Sequence, residues 1–288
     1  MNPLEKGRVL FKLVKFPHTV FALPFGLTSA VVAADGVPAL GTLIWILVAM
    51  VSARTAAMAF NRLVDADLDA QNPRTADRAL PRDLVSRRDV AGLTIGAAAI
   101  FVIAASRLNV LCFALSPVAL LMILGYSYLK KFTHWTHAFL GVALAVAPVG
   151  AWIAVMGHFG VFPIVLGLAV ILWVAGFDII YACQDVDFDT GHRLFSFPQK
   201  YGVENALRLS AVFHVGAAIA LVSLVSFPSL GLIYFVGVVI VSALLFYEHT
   251  LVKPNDLGKV NSAFFTVNGV ISIVFMCFAV ADVLWSPA

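Results

Sequence analysis

Three polar side chains recur at four-residue intervals between residues 61 and 69, directly after a long apolar run. Asn61, Asp65 and Asp69 would share one face of a helix, because helical residues four apart lie one above the other. Asp67 would point elsewhere. Carboxylate and carboxamide oxygens are suitable ligands for Mg²⁺, which in proteins commonly completes its shell with water and phosphate oxygens. The spacing therefore predicts a metal-binding face at the end of a helix.

A second acidic stretch repeats this spacing 120 residues further along the chain. Asp185 and Asp189 are again four apart, and Asp178 lies two helical turns before Asp185 on roughly the same face. Solvated loop charge is the simpler interpretation, but like charges at this spacing repel each other. An ionisable group inside an apolar run, such as Asp178, is also costly. Two such faces could hold two Mg²⁺ ions with a diphosphate between them, with Asp65, Asp69, Asp185 and Asp189 as the catalytic residues.

Basic residues close to both acidic stretches could bind the phosphate oxygens of such a ligand. Arg74 and Arg78 follow the first stretch by about one loop, where they could stabilise the charge of a leaving diphosphate. Lys130 and Lys131 end a later apolar run. These two lysines could bind phosphate or could serve only as anchors at a membrane boundary.

Arg54 lies inside an apolar run, seven residues before Asn61 and on the same helical face. An arginine at this depth needs an anionic partner. Either Asp178 or the carboxylate of a substrate could be that partner, the latter through two parallel hydrogen bonds. Tyr126 and Tyr181 lie near the ends of apolar runs and could line a cavity for an isoprenoid cation, which an aromatic face stabilises.

The elements that position these residues must be membrane-spanning helices, because 61% of the 288 residues are hydrophobic and only 12% are charged. Apolar runs of spanning length predict nine helices, at 16–34, 40–64, 89–106, 108–128, 137–157, 161–183, 205–226, 229–249 and 262–284. The first run resembles a cleavable signal, but further spans follow at once, so we expect a retained helix. The three cysteines have neither metal-site nor disulfide spacing.

Basic residues concentrate in alternate loops, and this pattern predicts the orientation of the chain. The N-terminal segment and the loops at 74–88, 129–136, 184–204 and 250–260 are basic, whereas the opposite loops carry only Arg107. The positive-inside rule then places the N-terminus and both acidic stretches on the cytoplasmic side. We expect one transmembrane domain over residues 1–288, with an approximate repeat of helices 1–4 and 5–8.

Other classes of protein explain the pattern less well. A channel or an ion- or proton-coupled transporter would need charged groups along a path to the outer face, and the charges here gather on one side. A phospholipid-type alcohol transferase would need glycine and Ala-Arg spacing between its aspartates, which is absent. The net charge of +3 does not indicate a nucleic-acid partner.

With these motifs in this order, the sequence resembles the UbiA-type family of intramembrane aromatic prenyltransferases. Four segments carry the resemblance: "KFPHTVFALPF" from Lys15, "NRLVDADLDAQNPRTADRALP" from Asn61, "YSYLKKFTHWTHAFLG" from Tyr126 and "FDIIYACQDVDFDTGHRLFSFPQKYG" from Phe177. The resemblance implies an all-α fold of about nine helices around a central cavity with a cytoplasmic cap, in a bacterial-type inner membrane. It also implies Mg²⁺-dependent transfer of a polyprenyl group from polyprenyl diphosphate to an aromatic carboxylate acceptor. The aspartate-rich motifs of the family map onto Asn61, Asp65 and Asp69 and onto Asp178, Asp185 and Asp189, and its acceptor-binding arginine maps onto Arg54.

The chain departs from the family pattern after the second motif. In 4-hydroxybenzoate prenyltransferases a glycine and then a lysine usually precede a serine or threonine, whereas here Arg193 and Phe195 precede Ser196. Arg193 or Lys200 could replace the missing lysine. The segment "YACQDVDFD" and the aromatic residue before Ser196 resemble the sequences of the futalosine-route menaquinone branch more closely. We therefore expect 1,4-dihydroxy-6-naphthoate as acceptor, with 4-hydroxybenzoate as the alternative.

Overall fold

The computed structural model describes residues 3–14 and 21–285, and the regular structure of these residues is helical, without strands. The helices are α1 (Pro3–Leu13), α2 (Leu23–Ala34), α3 (Leu40–Gln71), α4 (Arg87–Leu108), α5 (Val110–Leu129), α6 (Thr136–Met156), α7 (Val161–Ala182), α8 (Val186–Gly191), α9 (Phe197–Tyr201), α10 (Val203–Ser223), α11 (Leu232–Leu251) and α12 (Asn268–Trp285). A 3₁₀ turn joins α7 to α8, and a π-helical turn at Ser262–Val267 leads into α12.

Eight helical segments within the described residues are long and apolar enough to cross a membrane, which makes the chain an integral membrane protein. They contain α3, α4, α5, α6, α7, α10, α11 and α12. The sequence predicted nine spans, one more than the number of described segments that meet this measure. The difference lies in the first predicted run, 16–34: its residues up to 20 fall outside the described part of the chain, and α2 has only 12 residues, beginning beside Pro24. Proline suits the first turn of a helix because it has no N–H to donate.

The chain forms two compact units, which are described separately. The first comprises Met1–Thr19 and Ile44–Tyr128, and the second comprises Val20–Leu43 and Leu129–Ala288. Helix α2 thus belongs with the later helices, and Ser29 Oγ donates a hydrogen bond to the carbonyl oxygen of Pro148 in α6 at 2.7 Å.

In the first unit, a small apolar cluster lies under the acidic end of α3. It consists of Leu13, Val14, Ala59, Ala66, Leu80, Val85 and Val90. Leu80 and Val85 come from the loop after α3, so their burial holds this loop against the helix end. Helix α4 then begins at a capping box in which Ser86 and Asp89 satisfy each other's backbone amides.

In the second unit, α7 lies at the centre of the core. Its residues Trp173, Val174 and Phe177 are at most 3% exposed. Helix α6 packs against α7 very closely, because a Cβ atom placed on Gly141 would lie 2.5 Å from the carbonyl oxygen of Ile171. Small residues permit such contact between membrane helices. This packing fixes the position of Asp178, one residue after Phe177.

Candidate functional site

The first half-site lies at the C-terminal end of α3, where the four-residue spacing produces the expected face. Asn61 Nδ2 donates to Asp65 Oδ2 at 3.1 Å. Asp65 and Asp69 are buried, with 5% and 6% exposure. Asp67 instead points outward and pairs with Arg87 at the start of α4. The separation of Asp67 from this face agrees with the expectation from helical geometry.

Asp69 is held by arginines in the first unit. Arg78 Nη1 donates to both of its carboxylate oxygens, at 2.6 and 2.7 Å, and Arg62 Nη1 lies 3.9 Å from Oδ2. Arg62 Nη1 also donates to Asn61 Oδ1 at 3.3 Å. The loop arginine that we expected to bind phosphate is therefore placed beside the acidic face, where it already binds a carboxylate.

Sequence reasoning missed Arg62, which is only 7% exposed. A signal was present: Arg62 lies seven residues before Asp69, and this spacing puts it on the same side of α3. Arg74, in contrast, is exposed in the loop that follows the helix.

Arg54 lies seven residues before Asn61 in α3 and forms no ion pair with a described residue. Its Nε atom is buried and has no hydrogen-bond partner among the described residues. Tyr126 of α5 is close enough to interact electrostatically with Arg54, Arg62 and Asp65. The first unit thus combines a deep guanidinium group, a phenol and the acidic face.

The second half-site follows the buried part of α7. The helix does not continue through the acidic stretch as predicted, because a 3₁₀ turn at Cys183–Asp185 separates α7 from the short α8. Asp178 and Asp185 are therefore not on one uninterrupted helical face. Asp189 Oδ2 accepts a hydrogen bond from Ser196 Oγ at 2.8 Å, and Asp187 is exposed.

Asp178 is bound to a histidine that sequence reasoning also missed. His137, at the start of α6, has Nδ1 2.7 Å from Asp178 Oδ2 and Nε2 3.3 Å from the amide nitrogen of Phe197. Its signal in the sequence was weak, because a single histidine at the end of an apolar run carries no spacing that predicts a partner.

The remaining predicted residues of the second unit occupy different environments. The carbonyl oxygen of Lys130 accepts a hydrogen bond from the amide of Phe195 at 2.7 Å, and the charge of its side chain acts on Asp189. Lys131 is exposed. Tyr181 packs against Phe264, with ring centroids 4.2 Å apart.

Neither candidate for the missing lysine contacts an acidic residue of the second motif. Arg193 is exposed, with a positive φ of 53°. Lys200 lies over the ring of Tyr201, 5.0 Å from its centroid. Burial, and to a lesser extent the Lys200 charge, lowers the pKa of His134.

The donor atoms of both half-sites are oxygens, which fits Mg²⁺. Within the described residues, no group of three or more His, Cys, Asp or Glu side chains is arranged to hold a metal ion.

Comparison with known proteins gives a consistent result over most of the chain. The sequence profile of the UbiA prenyltransferase family matches residues 22–270. A 4-hydroxybenzoate octaprenyltransferase from Vibrio parahaemolyticus is 27% identical over 280 residues, covering 96% of this chain and 98% of the relative. A protein of the same name from Xanthomonas euvesicatoria is 30% identical over 250 residues, covering 86% and 82%.

Solved structures show the same fold. A UbiA homolog from Aeropyrum pernix superposes with a TM-score of 0.85 at 32% identity, covering 93% of this chain and 98% of the homolog. A UbiA homolog from Archaeoglobus fulgidus, described as bound to DMAPP and Mg²⁺, has a TM-score of 0.71 at 18% identity, covering 95% and 98%. This chain therefore belongs to the UbiA prenyltransferase family and is a membrane-embedded prenyltransferase.

Proposed function

We propose that this enzyme transfers a polyprenyl group from polyprenyl diphosphate to 4-hydroxybenzoate. The support is the name shared by the full-length relatives from Vibrio and Xanthomonas. The naphthoate acceptor expected from the sequence has no such support, so the alternative replaces it.

Phe195, the aromatic residue that suggested naphthoate as acceptor, has a packing role that explains its presence. The Phe195 ring contacts the His134 ring edge-on, at a centroid distance of 4.9 Å, and its amide is bonded to Lys130. An aromatic residue before Ser196 can therefore be explained without any contact to an acceptor.

The observation that carries the proposal is the buried acidic face of α3 with arginines on both sides of it. Asn61, Asp65 and Asp69 supply oxygen ligands, and Asp185 and Asp189 supply the second set. Mg²⁺ bound by these residues would act as a Lewis acid that stabilises negative charge on the leaving diphosphate. The homolog described as bound to DMAPP and Mg²⁺ supports this choice of ion.

The basic residues would stabilise the same charge as the bond between the allylic carbon and the diphosphate oxygen breaks. Arg78 is already in place beside Asp69, and Arg74 and Lys130 would add further positive charge. The ring carbon of the acceptor would attack the resulting allylic cation, and a base or water would then take up the proton from that carbon. Tyr126 and Tyr181 would offer aromatic faces to the cation.

Arg54 would bind the carboxylate of the acceptor. Its Nε atom is buried without a hydrogen-bond partner among the described residues, and a planar fork of donors matches a carboxylate. The structural alternative, a pairing with Asp178, is weakened because Asp178 already has His137 as partner. We further propose, from the basic loops, that the half-sites and the N-terminus face the cytoplasm.

The test is an assay of the purified full-length protein in liposomes with Mg²⁺ and labelled polyprenyl diphosphate. Equal concentrations of 4-hydroxybenzoate and 1,4-dihydroxy-6-naphthoate are offered separately and together. We expect prenylated 4-hydroxybenzoate as the main product and no turnover with EDTA. Preference for the naphthoate would refute the acceptor assignment.

Two neighbouring aspartates give a matched control for the metal assignment. Asp185→Ala should abolish turnover, whereas Asp187→Ala, which removes an exposed carboxylate two residues away, should leave it unchanged. Equal activity of the two variants would contradict a role for Asp185 in binding the metal.

A further inference from the structure

His137 is a buried side chain with two defined hydrogen bonds, and the reaction described above does not use it. It is 4% exposed and lies in the first turn of α6. Its Nε2 atom faces the backbone amide of Phe197, which can only donate, so Nε2 must accept. In a neutral ring the proton is then on Nδ1, which donates it to Asp178 Oδ2 at 2.7 Å.

The segment that His137 holds through Phe197 also orients a second carboxylate. Ser196, one residue earlier, donates its hydroxyl hydrogen to Asp189 Oδ2 at 2.8 Å. Ser196 Oγ also accepts a hydrogen bond from the amide of Gln199 at 3.4 Å and so caps α9. A chain of hydrogen bonds and one peptide link thus runs from Asp178 through His137 and Ser196 to Asp189.

We propose that His137 is a positioning residue that fixes the second half-site of the enzyme. One ring nitrogen sets the direction of the Asp178 carboxylate, and the other holds the segment that directs Asp189. The proposal rests on the proposed function, since it assigns Asp189 to the binding of the diphosphate and its metal ion. Partners that orient ligand residues commonly change affinity or activity about 10- to 100-fold when they are removed.

Three substitutions separate the two hydrogen bonds. His137→Ala removes both. The amide group of His137→Asn stands near the position of Nδ1 and can still donate to Asp178. The longer side chain of His137→Gln can place its amide oxygen near the position of Nε2 and can still accept from Phe197.

The binding of a non-reactive prenyl thiolodiphosphate with Mg²⁺, measured by calorimetry, distinguishes positioning from simple structural support. His137→Ala should weaken binding about 10- to 100-fold. His137→Gln should bind close to wild type, because the segment that holds Asp189 keeps its anchor, whereas His137→Asn should resemble His137→Ala. A parallel loss of melting temperature and affinity in all three variants, or wild-type affinity in His137→Ala, would overturn the proposal.

His158→Ala is the matched control. This histidine is exposed in the loop between α6 and α7, and its Nδ1 bonds only to the neighbouring Phe159 carbonyl among the described contacts. The control should bind the thiolodiphosphate as the wild type does. Weakened binding in this variant would show that loss of any histidine lowers affinity, and would contradict a specific role for His137.

A spectroscopic measurement tests the geometry whether or not the acceptor is correct. The protein has seven histidines, so ¹⁵N-histidine labelling gives few signals, and the signal missing in His137→Asn identifies His137. We expect its neutral ring to carry the proton on Nδ1. A proton on Nε2 would refute the proposal even if the wild type prenylates 4-hydroxybenzoate. If the wild type does not turn over that acceptor, the proposed function fails while the ring measurement still decides on His137.

Discussion

At the scale of single residues, Asp69 is the carboxylate towards which two arginines of the first half-site converge. Asp69 lies between Arg78 and Arg62, and Asn61 offers its amide oxygen to Arg62. Because buried charges are costly without a partner, we expect Asp69 to contribute to folding in addition to its proposed role in catalysis. The two contributions can be separated by measuring stability and turnover on the same variants.

Asp69→Ala should lower the free energy of unfolding by about 3 kcal/mol, because it leaves two arginines without their shared carboxylate. Asp67→Ala is the control: it removes an exposed pair with Arg87 and should cost no more than about 1 kcal/mol. Unfolding in mixed micelles with increasing dodecyl sulfate gives both values. Equal stability of the two variants would contradict a structural contribution of Asp69.

Arg54→Ala should raise the KM for the aromatic acceptor far more than the KM for the diphosphate, because the guanidinium would no longer bind the carboxylate. Arg54→Lys keeps the charge but not the planar fork of donors, so its KM for the acceptor should remain nearly as high as that of Arg54→Ala. Steady-state kinetics with each substrate varied in turn provide the measurement. If both KM values rise equally, Arg54 supports the fold rather than the acceptor.

At the scale of elements, the predicted helices mostly agree with the observed ones to within a few residues. The length of an apolar run defines a membrane span, and for this reason the predicted helix at 161–183 agrees with α7 at Val161–Ala182. The 3₁₀ turn after α7 was not predicted, because the polar sequence of this segment is compatible with both an α-helix and a 3₁₀ turn. Pairings such as Arg78 with Asp69 and His137 with Asp178 also escaped prediction, because they depend on tertiary contacts that one sequence does not reveal. The naphthoate acceptor was predicted from residues whose contacts lie elsewhere, and the names of the relatives support the alternative acceptor instead.

The close contact of α6 with α7 gives a prediction for one glycine. Gly141→Ala should destabilise the second unit by about 1–3 kcal/mol, because the new methyl group would meet the backbone of Ile171. Gly150→Ala lies in the same helix, where a Cβ atom has nothing within 4 Å, and should be neutral. Thermal unfolding of the two variants in one detergent decides the matter. Similar melting temperatures would show that α6 and α7 can move apart without loss of stability.

At the scale of the whole molecule, α2 determines on which side of the membrane the C-terminus lies. Eight helical segments are long enough to cross, and α2, at 12 residues, would extend only about 18 Å against a hydrocarbon core of roughly 30 Å. The basic loops nevertheless require a crossing before α3 if the N-terminus is cytoplasmic.

A reporter fused to the C-terminus should therefore be found outside the cytoplasm. Nine crossings place the two ends on opposite sides, whereas eight place them on the same side. We expect alkaline phosphatase fused after residue 288 to be active and a fluorescent protein at the same position to be dark. The reverse result would mean that the α2 region does not cross.

The association of α2 with the later helices also has a consequence for the order in which the chain is assembled during synthesis. Helix α2 leaves the ribosome before α3, α4 and α5, but its partner in α6, including the carbonyl that Ser29 binds, is made more than 100 residues later. The first unit can close on itself as soon as α5 is complete, whereas α2 must wait in the lipid for its neighbours. Translation arrested once residue 129 has left the ribosome should therefore yield a folded first unit with an undocked α2, and docking of α2 would report completion of the second unit.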